Sequence, residues 1–463
     1  MKRIQPGKRF KIWVLILFTK LKRRILKSEF IKSVIILFSG NIISNLLSFI
    51  SIPLLSRIYN DVAFGNYALL ISTSAIIIAI SSLGLSSAIM IPKDENKSKK
   101  VFSIAYFSQL SITTLVIFVL ILISPWYKIY TVNFNYCFSL ILIYIYVVIF
   151  GLFGLLSVYV NRAKKNRVLF WNSLIHSIVL LLVTVPLGYI GLGAKGFMIG
   201  SIVGYLAANV QMLYNVNPFI KITLRDYILI LKEFRQFIFF QFPSNLIGII
   251  SQQIPNQFFS ARFGNAKLGN YAMSERALGT PIGLVAAPIN TIYFRHSAQI
   301  VNNNAFSNLG DFTYRLITKI LIFSFLPIVI LIQYSEQIFT FFLGHSWSAV
   351  GEIVVILTIP YILMFCTKCI SYCLVVINRQ KINLYLTLFH LLLIISSLYL
   401  GLYFYGDFTH TLMLFSIANS IYYLVNLFVI FFYLKYNLLK FGLFILIYSS
   451  LLYLVILMLN CFV

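Results

Sequence analysis

The sequence predicts an all-α polytopic membrane protein built as two six-helix lobes. The lobes are related by a pseudo-two-fold axis along the membrane normal, giving twelve transmembrane helices and a candidate extra helix at the C-terminus. Three observations predict it. Of 463 residues, 60% are hydrophobic and only 10% charged, against about 45–50% and about 25% in soluble domains. Apolar stretches long enough to cross a hydrocarbon core of about 30 Å as helices recur along the whole chain, and no period-2 alternation favours a β-barrel. A short segment also repeats at an offset of 204 residues.

Taken in order, the chain opens with a basic segment, 1–31, whose apolar run Ile12 to Phe18 is too short to span. Lys8, Arg9 and Lys11 precede that run, and Lys20, Lys22, Arg23 and Arg24 follow it. It reads as an interfacial amphipathic helix on anionic lipid. A signal peptide is disfavoured because no small-residue cleavage site comes before the first full span. The N-lobe, 32–215, holds spans 32–58, 62–92, 101–124, 132–161, 168–190 and 196–215. A cytoplasmic linker, 216–234, leads to the C-lobe, 235–434, with spans 235–262, 266–293, 316–334, 349–377, 382–404 and 410–434. The remaining segment, 435–463, carries the thirteenth candidate over 440–462.

Charge orients these spans. Lys and Arg number 37 against 11 Asp and Glu, a formal net charge of +26. With the N-terminus inside, 30 of the 37 fall on inner segments. Only Arg57, Lys128, Lys195, Arg262 and Lys267 lie outside, and Arg276 and Lys368 lie within spans. That asymmetry predicts a multi-pass protein with a cytoplasmic N-terminus. Most of the excess charge then reflects topology and not a nucleic-acid partner. The five cysteines, Cys137, Cys366, Cys369, Cys373 and Cys461, lie in apolar stretches or at span ends, which argues against a disulfide framework.

The repeat is Asp61-Val-Ala-Phe-Gly-Asn-Tyr-Ala68 against Asn265-Ala-Lys-Leu-Gly-Asn-Tyr-Ala272. At the same offset Asn41 meets Asn245, Ile43 meets Ile247, Ile50 meets Ile254 and Ser56 meets Ser260. Each copy sits between the first and second span of its lobe. An even number of spans separates them, so both enter the membrane in the same direction, as expected for an axis along the normal. Two such lobes around a central cavity form a transporter that rocks between two access states.

The stretch Ser39-Gly-Asn41, Pro53-Leu-Leu-Ser-Arg57, Phe64-Gly-Asn-Tyr67 and Leu83-Gly-Leu85 resembles Wzx-type O-antigen and polysaccharide flippases. In the second lobe, Phe242-Pro-Ser-Asn245, Gly269-Asn-Tyr271 and Arg276-Ala-Leu-Gly-Thr-Pro281 carry the same likeness. These flippases form the polysaccharide transporter branch of the multidrug/oligosaccharidyl-lipid/polysaccharide exporter superfamily, and the resemblance runs over 32–434. It implies a bacterial inner-membrane protein that is not an enzyme and uses no cofactor. Its cargo would be an undecaprenyl-pyrophosphate-linked oligosaccharide for O-antigen, capsule or exopolysaccharide. Its implied partners are membrane lipids, a polysaccharide polymerase and a chain-length regulator.

An anionic, strongly hydrated head crosses hydrocarbon only at a large desolvation cost. Such a cargo calls for a wet cavity with cations for the diphosphate and amides for the sugars. Arg276, well inside the eighth span, and Lys368, in the tenth, are the candidate intramembrane cations; the bland reading of Lys368 is snorkelling to the interface. Glu275 cannot easily pair with Arg276, because neighbouring helix positions do not face each other. Arg57 and Arg262 close the first and seventh spans as interface anchors or as an outer gate. Asn245, Gln252 and Asn256 share one face of the seventh span with Gln241, Gln253 borders it, and Asn41, Asn45 and Ser48 do likewise in the first. Pro243, Pro255, Gly279, Pro281, Gly283 and Pro288 are expected to bend the seventh and eighth spans.

Acidic residues separate the branches. The first lobe contains only Asp61, Asp94 and Glu95, all in loops or at their edges, so ion coupling falls to Glu275 or Glu352. A cavity poor in acid favours an anionic cargo over a cationic drug. Two competing functions remain: an ion-coupled drug or cation antiporter, and an O-antigen polymerase or ligase. The second is weak because the longest outer stretch, 335–348 with Glu336 and His345, is short.

Three patterns mislead. Gly191-Leu-Gly193-Ala-Lys195-Gly196 fits G-x-G-x-x-G but follows no strand. Cys366, Cys369 and Cys373 have packing-face spacing and no nearby fourth ligand for a metal. The histidines form no local cluster, and the absence of a Walker A motif leaves ATP coupling to a separate subunit.

Overall fold

The computed structural model describes residues 47, 50–123, 136–302, 306–377 and 379–462. The N-terminal amphipathic segment, Asn41, Asn45 and Ser48 lie outside the described residues. The helices are α1 (50–58), α2 (Asp61–Ser81), α3 (Glu95–Ile123), α4 (Tyr136–Arg162), α5 (Asn166–Tyr189) and α6 (Gly193–Asn215), followed by a linker helix α7 (Leu224–Glu233). The second lobe has α8 (Phe242–Phe263), α9 (Asn265–Asn302), α10 (Phe306–Leu343), α11 (Ser348–Cys369), α12 (Gln380–Phe404) and α13 (Phe408–Tyr433), and α14 (Leu438–Phe462) follows. Ten of these are long and apolar enough to cross a membrane. The amide-rich α8 is not among the ten. Large apolar side chains such as Leu182, Phe323 and Leu392 stand exposed on the outside of the bundle. In a bilayer that is the expected polarity, because backbone groups are satisfied within each helix and the outer surface meets lipid.

Several boundaries differ from the sequence expectation. The second span was expected over 62–92, but α2 stops at Ser81 and only a short 3₁₀ turn, Ser87–Met90, follows. Leu83 (φ 48°) and Gly84 (φ 69°) take left-handed conformations that a helix cannot continue through. A Cβ on Gly84 would stand 3.0 Å from the Phe237 carbonyl oxygen, so the turn is pressed against the lead-in to α8. That lead-in is a π-helical turn, Phe237–Gln241. The stretch 335–348, expected as an outer loop, is helical to Leu343 and then forms a 3₁₀ turn, His345–Trp347. Helix α10 runs through non-helical dihedrals at Tyr334 (φ −123°, ψ 17°), which mark a kink and not an end. Pro281 and Pro288 lie inside α9, which continues unbroken to Asn302, and Pro243 falls in the first turn of α8. Because the π-helical turn runs straight into α8, Pro243 lacks the N–H that would continue the ladder at that junction.

Local chemistry sets the helix starts. The Asn60 side chain accepts from the Ala63 N–H at 2.9 Å and caps α2. Thr223 and Asp226 form a capping box on α7. Lys100 donates to Asp226 and Lys97 to Glu233, both at 2.7 Å, tying α7 to the start of α3. The Lys100 ammonium, helped by the Thr223 backbone and hydroxyl, holds the Asp226 carboxyl down to about 2.

The repeat becomes the pseudo-two-fold contact itself. Helices α2 and α9 cross with Gly65 against the Asn265 carbonyl and Gly269 against the Asp61 carbonyl. Added Cβ atoms would lie 1.7 and 1.9 Å from those oxygens. Residues 61 and 265, like 65 and 269, differ by the repeat offset, so the contact is reciprocal, as a two-fold relation demands. Asn265 also donates to the Asn66 side chain.

Packing shows where the lobes join. One apolar cluster takes Tyr59, Phe64 and Phe197 from the first lobe together with Phe259, Tyr271, Trp347 and Phe408 from the second. These residues lie toward the end of the bundle marked by Arg57 and Arg262. Trp347 Nε1 donates to the Ser56 carbonyl (2.9 Å), and Ser56 Oγ donates to the Leu343 carbonyl (3.0 Å). Toward the opposite end each lobe has its own cluster. One centres on Phe102, Tyr159 and Phe234. The other centres on Tyr293, Phe431 and Phe441, and there Cys366, Cys369 and Cys373 are buried as packing residues.

Candidate functional site

A cavity of about 690 Å³ opens among α8, α9, α11, α12 and α13, with Ala68 and Ile71 of α2 completing its wall. Among the described residues its lining comes mainly from the second lobe, with α2 of the first lobe contributing one edge; Asn41 and Asn45, expected to line a central cavity, lie outside the described residues. Arg276 lies on this wall. Counted from the start of α9 at Asn265, it sits about 16 Å along the helix, near the middle of a hydrocarbon core of about 30 Å. Lys368 is in the last turn of α11, so the lining runs from mid-depth toward the end where the lobes have separate cores.

The guanidinium of Arg276 reaches across to the first lobe. It lies over the rings of Tyr67, Phe197 and Phe64 at 5.3, 5.5 and 5.8 Å from their centroids, an electrostatic attraction to the ring faces. Among the described residues no carboxylate pairs with Arg276 or Lys368. Glu275 points to a different set of partners. Its Oε1 accepts from the Tyr271 hydroxyl (2.9 Å), one helical turn earlier, and from the Tyr361 hydroxyl (3.3 Å) on α11.

Helix α8 supplies the amides. Gln252, Gln253 and Asn256 line the cavity, and Asn256 donates to Gln253 at 3.2 Å. The next residue, Gln257, donates to Ser72 (2.6 Å) and Thr73 (3.0 Å) of α2 and anchors α8 to the first lobe. The far wall is aromatic and polar. His390 of α12 is stacked on Tyr422 of α13 with centroids 3.9 Å apart. Its Nε2 lies 3.0 Å from Asn419 Oδ1, while Asn419 donates to the Phe415 carbonyl.

The structure thus brings together Arg276, Lys368, Glu275, Gln252, Gln253 and Asn256 from the sequence-expected set. Asn245 is exposed near the start of α8, bonded by Gln241 and away from the cavity. Arg57 and Arg262 are exposed at the joined end and do not line it. Glu352 is exposed on the first turns of α11, also outside the cavity. Sequence reasoning missed Tyr271, Tyr361, His390, Asn419, Tyr422 and Tyr423. The one available signal was a histidine deep in an apolar span, where ionisable groups are costly. The histidines form no local cluster in the sequence, and the partners of His390, Asn419 and Tyr422, come from another helix.

The model of a family described as polysaccharide biosynthesis protein matches residues 54–352. No curated protein matches the sequence. Lipid II flippase MurJ in an inward closed conformation superposes with a TM-score of 0.68 at 16% identity, covering 91% of this chain and 98% of that one. An inward-facing multidrug resistance MATE family transporter of the MOP superfamily gives 0.59 at 14% identity, covering 86% and 93%. A MOP superfamily transporter from Pyrococcus furiosus gives 0.55 at 13% identity, covering 89% and 98%. At these identities the likeness is one of fold: an all-α, two-lobed membrane transporter architecture.

Proposed function

The chain belongs to the polysaccharide biosynthesis protein family, and from that membership we propose that it is a flippase. Its cargo is an undecaprenyl-pyrophosphate-linked oligosaccharide repeat unit, carried across the bacterial inner membrane by alternating access. The observation that carries this reading is the cavity in which Arg276 and Lys368, at and beyond mid-depth, form no salt bridge among the described residues, beside a wall of amides and tyrosines. Arg276 and Lys368 suit the diphosphate, because a guanidinium binds phosphate oxygens bidentately and an ammonium binds them as a point charge. Gln252, Gln253, Asn256 and Asn419 offer the donors and acceptors that sugar hydroxyls need.

The charge asymmetry of the sequence supports a cytoplasmic N-terminus. The joined end then faces outward and the cavity opens toward the cytoplasm, the loading side. Loading competes for Arg276. A phosphate that draws the guanidinium off Phe64, Tyr67 and Phe197 removes a contact between the lobes, and only such differential contact lets a cargo shift the equilibrium between access states. Glu275, the one carboxylate among the described lining residues, is the site of ion coupling in this scheme. A polymerase and a chain-length regulator act on the delivered units.

The test is Arg276→Ala with membrane insertion verified. Loss of surface polysaccharide assembly is expected, together with loss of translocation of a lipid-linked oligosaccharide in proteoliposomes. Wild-type translocation in that variant refutes the role of Arg276. Glu275, bonded by two tyrosines, favours a second reading as a cation or drug antiporter. Ion-dependent efflux of cationic dyes by the purified protein, without movement of lipid-linked sugar, would establish that alternative.

A further inference from the structure

A second cavity, of about 550 Å³, lies where α13 ends and α14 begins, beside the turn that leads into α12. Its walls are Ile377, Arg379, Phe432, Tyr433, Lys435 and Tyr436, with Leu438 at the lip. It shares no lining residue with the cargo cavity. Arg379 lies over the Tyr433 ring at 5.4 Å, and nearby Lys440 lies over Tyr314 and Tyr436 at 5.3 and 5.9 Å. Segments 377–381 and 432–440 contain no acidic residue. Among the described residues none of these cations has a carboxylate partner. Lys435 holds φ 54°, a left-handed position just past a helix end that usually falls to glycine.

The position selects the ligand. The flanking spans, Lys381–Phe404 and Phe408–Tyr433, end here, so the pocket lies at headgroup level. Helix α14 starts at its lip, where Asn437 Oδ1 accepts from the Lys440 N–H at 3.1 Å, and the dipole of a helix N-terminus favours an anion. From the lip an exposed apolar stripe runs along α14 through Leu439, Leu443 and Leu446, at 79, 59 and 63% exposure, on one helical face. A cationic, aromatic mouth continuing into an apolar stripe matches one molecule, with a phosphate at the mouth and acyl chains below. We infer that this pocket binds the net-anionic phosphodiester headgroup of a membrane lipid, with its acyl chains lying along α14. Soluble phosphate shares the headgroup chemistry but does not use the stripe.

The experiment follows thermal unfolding of the full-length purified protein in neutral detergent. Dioleoylphosphatidylglycerol, dioleoylphosphatidylcholine or inorganic phosphate is titrated in turn. Phosphatidylglycerol is expected to raise the unfolding midpoint of the wild type by several degrees more than phosphatidylcholine, and inorganic phosphate to raise it little. In Arg379→Ala/Lys435→Ala the half-saturating phosphatidylglycerol concentration rises at least tenfold. In Lys232→Ala/Arg235→Ala, which removes two charges elsewhere, it is unchanged. Lys435→Ala alone guards against misfolding, since Lys435 is exposed; it must weaken the lipid effect while its lipid-free midpoint stays at the wild-type value. Equal losses in both double variants, or a wild-type response in Lys435→Ala, overturn the pocket. A wild-type shift reproduced by inorganic phosphate overturns the lipid.

Discussion

Replacing Gly65 by alanine tests the joint between the lobes. A methyl there would stand 1.7 Å from the Asn265 carbonyl oxygen, with the Gly269 nitrogen at 3.0 Å. An ordinary contact lies near 3.5 Å, so α2 and α9 must part by about 2 Å or the backbone must deform. Both obstructing atoms are main chain and cannot rotate away. Overpacking of this kind costs about 1–3 kcal/mol. If the separated arrangement is spared, the equilibrium between joined and separated forms moves by about 5–150-fold. Gly269→Ala meets the Asp61 carbonyl at 1.9 Å and should act alike. The double variant should fall short of the sum, because both methyls open one interface. Spin labels at exposed positions 57 and 262, at the ends of α1 and α8, report the separation by electron–electron double resonance. Longer distances are expected in either variant. An unchanged distance distribution together with a wild-type unfolding midpoint would refute the argument that the glycines hold this end shut.

Other outcomes follow from single contacts. Trp347→Phe removes the donor to the buried Ser56 carbonyl and leaves a void where the indole's second ring stood, so the unfolding free energy should fall by at least about 1–3 kcal/mol, read by chemical or thermal denaturation. Glu275→Gln should remove the dependence of transport on an imposed ion gradient while leaving cargo binding intact; retained gradient dependence in proteoliposomes excludes Glu275 as the coupling group. The Asp226 carboxyl is held down to about 2 from its ordinary 3.8, so its contribution to docking α7 is complete above the ordinary value and is lost as pH falls through about 2. Hydrogen exchange in 224–233 should rise over that window in the wild type, and Asp226→Asn should show the faster exchange already at neutral pH.

Much of this architecture is legible in the chain itself. Composition, the recurrence of spans and the lysine and arginine asymmetry define a multi-pass helical protein, because a bilayer admits few backbone solutions and tests each segment locally. The repeat marks equivalent places in both lobes, because a motif kept at one offset does so, but that the two copies touch each other is a fact of the folded structure. Arg276, Lys368 and the α8 amides were identifiable because polar groups in apolar helices are conspicuous. Folding decided the rest. That the described lining of the cavity comes mostly from the second lobe, that Glu275 turns to two tyrosines while adjacent Arg276 turns to first-lobe rings, and that His390 meets Asn419 all depend on which helix faces which. Neither composition nor periodicity carries that information: a helix fixes the direction of each side chain about its own axis, but only packing chooses what stands opposite.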